Sequence, residues 1–254
     1  KPRLWRLPKD NSIAVNYGLC NDGATKIAER LKIKSSIPLF ISIAKTNDPT
    51  IKGDDSVEDY YRSFQILRNL GYPIVLNISC PNSGDGRTFE DSVLLNKLLQ
   101  RIRIKKEKVF IKISSELDKK YVDGIFRVIK KYNVSGFIIG NLSHSRKKLK
   151  TSKNELAKVK GSFSGEPVRE SSTKLIKYVY EKTKGKYTII GVGGVFTAVD
   201  AYEKIKNGAS AVQIMTSMIY KGPGVIKEIN KGLVNLLEND GYKNISEAVG
   251  VNCE

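Results

Sequence analysis

The sequence predicts an α/β fold, a (β/α)8 TIM barrel of which about six βα units are visible. Three observations predict it. Short β-branched apolar runs alternate with amphipathic helical stretches along nearly the whole chain, the pattern of repeated βα units around a parallel sheet. The 254 residues suffice to bury about 70–75 % of the unfolded surface around one core, and α/β barrels of this length run as one domain. Turns rich in glycine and amides follow several of the apolar runs directly, at the carboxyl strand ends where this fold builds its sites.

Taken in order, residues 1–17 show no clear period, and residues 18–23 lead into a helix carrying Ile27, Ala28 and Leu31. Strands are expected at 38–43, 74–79, 109–113, 136–139, 188–192 and 211–215. The intervening helices carry apolar stripes at core spacing: Val57, Tyr61, Phe64 and Leu67, then Leu94, Leu95, Leu98 and Ile102. Further stripes are Val122, Ile125 and Ile129, then Leu175, Ile176 and Val179, then Ala198, Ala201, Tyr202 and Ile205. Pro223 suits a first helical turn and opens a helix through Ile226, Ile229, Leu233 and Leu237. The polar, lysine-rich stretch 142–167 reads as a mobile loop over the site. A closed barrel needs eight units and the chain opens with Lys1, so residues 1–254 are expected to be a single barrel domain that is incomplete at its N-terminus.

No apolar run approaches the roughly 18–20 residues of a membrane span. Three widely spaced cysteines and a single histidine, His144, which is expected to be exposed, argue against a structural metal site and suit a reducing cytosol. The formal charge of +18 is spread over the helices as a solvated lysine-rich surface; such a field also favours anionic ligands or an anionic membrane face. No aromatic-interleaved basic stretch points to nucleic acid.

Three features carry chemistry. Gly191-Val192-Gly193-Gly194 follows an apolar run and is either a tight turn or, near the end of a barrel's last strands, a phosphate cradle of backbone N–H groups. Lys112 stands among apolar neighbours in its strand, where an unpaired charge is costly, so it either snorkels to the rim or serves as a cation beside a reduced flavin. The loop Asn77-Ile78-Ser79-Cys80-Pro81-Asn82 places two amides around a cysteine; amides that donate and accept suit a planar substrate with carbonyl, N–H and carboxylate groups. Cys80 is either a small buried hydrophobe or, at a strand end beside a Pro-Asn turn, a base or nucleophile.

These stretches resemble the dihydroorotate dehydrogenases, flavin enzymes that oxidise dihydroorotate to orotate in pyrimidine synthesis. The resemblance runs in order from Lys1-Pro2-Arg3-Leu4-Trp5-Arg6-Leu7 through the Asn77–Asn82 loop with Arg87-Thr88, Ser164-Gly165-Glu166-Pro167, Ile189–Gly194 and Val212-Gln213-Ile214 to Lys221-Gly222-Pro223. The opening residues, the Gly-Pro helix and Ala248-Val249-Gly250 are most similar to the quinone-using class, which implies a peripheral position on the inner face of a membrane.

The resemblance implies FMN as cofactor, with Ser42, Asn77, Lys112, Gly140, Gly165, Gly193, Gly194, Met215 and Thr216 against it. It implies Asn16, Asn77, Asn82 and Asn141 on the substrate, Cys80 taking the C5 proton, and hydride passing from C6 to the flavin. Departures are specific. Cys80 stands where the quinone class has serine and the soluble classes have cysteine, so a soluble acceptor such as fumarate or NAD is the alternative to quinone. Val15 stands where the family has a substrate asparagine, with Asn16 one place away; Ser42 replaces an asparagine, and Gly140-Asn141-Leu142 replaces Thr-Asn-Thr. Those changes motivate the further alternative of a degenerate, non-catalytic barrel. A tRNA-modifying dihydrouridine synthase, which shares the flavin barrel and a catalytic cysteine, would need a further helical domain.

Overall fold

The computed structural model describes residues 1–33, 35–79 and 88–253. The chain divides into two compact units, one of residues 18–113 and 117–136, the other of residues 1–17, 114–116 and 137–254. Elements are numbered in chain order.

The first unit is a parallel sheet of β3 (Ile41–Ile43), β4 (Ile74–Asn77) and β5 (Val109–Ile113), with Ile41 opposite Ile74 and Ile74 opposite Val109. The central strand is buried along its length, as a strand covered on both faces must be. Its helices are α1 (Ala24–Arg30), α2 (Gly53–Leu67), α3 (Ser92–Ile102) and α4 (Lys119–Ile129). Asp91 caps α3 by accepting from the N–H groups of Val93 and Leu94. Leu95, Leu98, Leu99 and Ile102 of α3 and Val122, Ile125 and Ile129 of α4 are fully buried. On α2 the inward tyrosine is Tyr60 rather than the expected Tyr61, which instead lies half-buried under the Arg101 guanidinium, 3.4 Å from its ring centre. Helix α1 buries none of its residues.

The second unit contains the parallel strands β6 (Gly136–Ile139), β8 (Thr188–Val192) and β9 (Ala211–Gln213), in that order. Its helices are α5 (Lys153–Ala157), α6 (Arg169–Thr183), α7 (Ala198–Lys206), α8 (Thr216–Lys221) and α9 (Gly224–Asn239). Thr197 and Asp200 form a reciprocal capping box on α7. On α9 the inner face is Val225, Ile229 and Leu237, while Ile226 is exposed.

Two expectations are corrected in this unit. The aperiodic start contains a hairpin, β1 (Leu4–Leu7) with β2 (Ser12–Val15), and the supposed mobile loop contains α5 and β7 (Ser162–Gly165), which pairs antiparallel with β2. Leu7, Ala14, Leu156, Val159 and Phe163 form the shared core of these pieces. Polar anchors fix the rest. Buried Asp10 accepts from the backbone N–H groups of Lys150 and Thr151 and from the Thr151 hydroxyl, and Arg146 donates to the carbonyls of Leu156 and Val159. Asp10→Ala leaves buried donors unpaired, so it is expected to destabilise the protein by about 2–4 kcal/mol in urea unfolding. A loss below about 0.5 kcal/mol would show that the segment is held by its apolar contacts alone.

Candidate active site

In the first unit the carboxyl ends of β3, β4 and β5 carry the polar residues. The parallel register sets Asn77 opposite Lys112, and paired positions on neighbouring strands stand about 4.8 Å apart. Asn77 is buried, its carbonyl accepts a 2.7 Å hydrogen bond from the buried Tyr60 hydroxyl, and its Oδ1 accepts from Ser79 Oγ at 3.1 Å. The last turn of β4 is thereby fixed just before the expected base. Lys112 is half-buried.

Ser42 and Asn77 share the wall of a cavity of about 770 Å³, with Lys45, Phe40 and the apolar stripe of α1, Ile27 and Leu31. The stripe faces this space instead of a packed core. Lys45, which sequence reasoning missed, is 3 % exposed and donates to the carbonyls of Asp48 and Ile51 at 3.1 Å, shaping the loop after β3. Its signal was a lysine two residues beyond the strand. Cys80 and Asn82 lie outside the described residues.

The second unit gathers the glycine turns. Val192 pairs with Gln213 at the carboxyl ends of β8 and β9, so the turn Gly193–Gly194 and the start of α8 at Thr216 leave the sheet at the same end. Thr216 is buried and its Oγ1 lies 2.8 Å from Ser164 Oγ, beside Gly165. Met215 is 70 % exposed. Gly140 adopts φ +126°, and a side-chain carbon there would stand 2.1 Å from the Val192 carbonyl oxygen; only glycine lets β6 end against β8 in this way. Gly194, at φ +70°, packs equally closely, its missing Cβ 2.3 Å from Arg169 Cβ at the start of α6.

Asn141 is half-buried, with its Oδ1 accepting from the Leu142 N–H at 2.9 Å. Asn16 is exposed just past β2, at the Ser162 end of its pairing, whereas Gly165 pairs with Ser12, roughly 13 Å away along extended chain. Val15, the position the family pattern gives to asparagine, ends β2 opposite Leu4 and Ser162. His144 is exposed, as expected, with Nδ1 2.9 Å from Ser162 Oγ. Among the described residues no group of three or more His, Cys, Asp or Glu is placed to hold a metal ion, and no helix is long and apolar enough to cross a membrane.

A phosphate-bearing flavin fits the chemistry of this set. The Ser217 hydroxyl oxygen is buried in the first turn after β9 and has no hydrogen-bond partner among the described residues, a donor that an anion would satisfy. The sequence placed Ser217 at the end of the stretch Gln213–Ser217 beside the glycine turn without giving it a role of its own.

In each unit parallel strands are followed by helices, with amides and a lysine at the carboxyl strand ends of the first and glycine turns at those of the second, the pattern of the (β/α)-barrel enzymes. A family model for dihydroorotate dehydrogenase matches residues 1–237, and the chain belongs to that family. It is 36 % identical to dihydroorotate dehydrogenase (quinone) of Trichodesmium erythraeum and 38 % identical to that of Crocosphaera subtropica, in each case over 99 % of this chain and 69 % of the relative. The ligand-free dihydroorotate dehydrogenase of Eimeria tenella superposes with a TM-score of 0.88 at 26 % identity, over 99 % of this chain and 77 % of that one. The family is typically flavin-dependent.

Proposed function

We infer that this protein oxidises dihydroorotate to orotate with FMN as the hydride acceptor, Cys80 as the base and quinone as the final oxidant. The observation that carries the reading is the register of Asn77 with Lys112, a buried amide and a cation side by side on the strand that runs directly into Cys80. Bound FMN supplies an acceptor for the hydride that leaves C6. Lys112 would stabilise negative charge on the reduced ring, and the Gly193–Gly194 turn with Thr216 and Ser217 would hold the phosphate. Gly140, Gly165, Met215 and Ser42 would line the ring and ribityl chain. Asn77, Asn82 and Asn141, with Asn16 from the loop after β2, would hold the substrate's carbonyl, N–H and carboxylate groups, orienting the C5–H bond toward Cys80.

The acceptor has two supports that differ. The relatives named above are quinone enzymes, and a net charge of +18 favours an anionic membrane face, which suits a peripheral position. Cys80 in place of serine favours a soluble acceptor.

The test is spectroscopic. Purified protein is expected to carry the yellow flavin absorbance and to bleach when dihydroorotate is added without oxygen. A folded protein that binds no FMN, or that holds it and stays oxidised, contradicts the reading.

A further inference from the structure

Lys204 on α7 is the one lysine among the largest fully buried side chains, with 0 % of its surface exposed, and none of the chemistry above uses it. Its stem runs beneath the end of β8, with Cδ 3.2 Å from where a side chain on Gly191 would begin. Its Nζ donates to the Thr173 hydroxyl at 3.0 Å, the Ser172 hydroxyl at 3.1 Å and the Arg169 carbonyl at 3.3 Å, all on the first turn of α6.

The hydrogens on those hydroxyls are already committed. Ser172 donates to the Val192 carbonyl at 2.5 Å and more weakly to that of Ile139 at 3.3 Å, and Thr173 donates to the Arg169 carbonyl at 3.0 Å. All three partners of Nζ are therefore acceptors. A neutral amine has two hydrogens and would aim its lone pair at the third acceptor, so only the ammonium satisfies the site. Burial pulls the Lys204 pKa down to about 8, with Glu203 and Asp200 opposing and Arg169 adding to the fall, which leaves the group charged at neutral pH.

No described carboxylate hydrogen-bonds this cation. Asp200, one turn earlier on α7, is taken by the Arg169 guanidinium at 2.7 Å, by the N–H groups of Phe196 and Thr197 and by the Thr197 hydroxyl. The charges of Asp200 and Glu203 face this cation, and Arg169, which also pairs with Glu166 at 3.5 Å, stands at the start of α6 against which Gly194 packs. The Ser172 bridge from Lys204 to the Val192 carbonyl also fixes the peptide from which the glycine turn departs.

We propose that Lys204 is a positioning residue for phosphate-monoester binding at Gly193–Gly194, fixing through Ser172 the orientation of the backbone from which the turn departs. The inference rests on the flavin reading and specifies which end of the flavin it serves. Riboflavin, which has no phosphate, separates this role from a general structural one. In Lys204→Met and in the milder Ser172→Ala, FMN affinity measured by flavin fluorescence is expected to fall ~10- to 100-fold, while riboflavin affinity is unchanged. FMN affinity retained in both folded variants, or FMN and riboflavin affinities falling together, overturns the proposal; if Lys204→Met does not fold, Ser172→Ala decides alone. Should the unaltered protein bind no FMN, inorganic phosphate is titrated against the Gly193 and Gly194 amide resonances. Shifts that vanish in Ser172→Ala uphold the role of the relay while the flavin reading falls, and no shift in the unaltered protein overturns both.

Discussion

Cys80→Ala is expected to retain flavin and to slow its anaerobic reduction by dihydroorotate by about 10²–10⁴-fold, the usual contribution of a positioned general base. A thiol suits the role because thiols as a class are far stronger acids than the serine hydroxyl and better able to stand as the anion that accepts a proton. Cys80→Ser is expected to restore part of the rate with an optimum displaced to higher pH. Stopped-flow bleaching of the flavin reads both variants, and an alanine variant that reduces flavin at the normal rate would assign the proton to another group.

The second large effect concerns Gly140. Alanine there must hold a φ of +126° and place Cβ 2.1 Å from the Val192 carbonyl oxygen. That carbonyl cannot yield cheaply, because Ser172 donates to it and it precedes the glycine turn. Strain and overpacking together are expected to cost about 3–5 kcal/mol in urea unfolding, a large share of the roughly 5–15 kcal/mol that holds a domain folded. Threonine, the residue of the family pattern at this place, is expected to do no better in this backbone. A loss under about 1 kcal/mol for Gly140→Ala would mean that the two strand ends can part.

Gly140 also shows what the sequence could and could not convey. Read alone, its departure from Thr-Asn-Thr looks like decay of a binding loop. The structure accounts for it instead as a close approach of two strand ends, visible only once β6 and β8 are placed.

The parallel strands were legible because buried β-branched runs such as Val109–Ile113 and Thr188–Val192 have few alternatives, and both bounds match. Others overran: the run at 38–43 is a strand only over Ile41–Ile43, and the run at 211–215 only over Ala211–Gln213. Strands β1 and β2 were invisible because four-residue strands carry too little periodicity, and β2 finds its second partner in β7, about 150 residues away. The turn between them did leave a trace, Pro8 opening a 3-10 turn that ends on Asn11 in the left-handed region.

Within the site, Asn77, Lys112 and the glycine turn were legible because motif and strand end coincide. Lys45 and Lys204 were not. Their meaning lies in what surrounds them: a lysine on an amphipathic helix reads as solvated surface until its Nζ is found among three acceptors.

The most direct test of the central claim is turnover. FMN-loaded protein is mixed with dihydroorotate and, in parallel, with a soluble ubiquinone analogue, fumarate or NAD, and orotate is measured. Orotate formed at a sustained rate with the quinone is the predicted result; flavin-loaded protein that forms none with any of the three acceptors would contradict it.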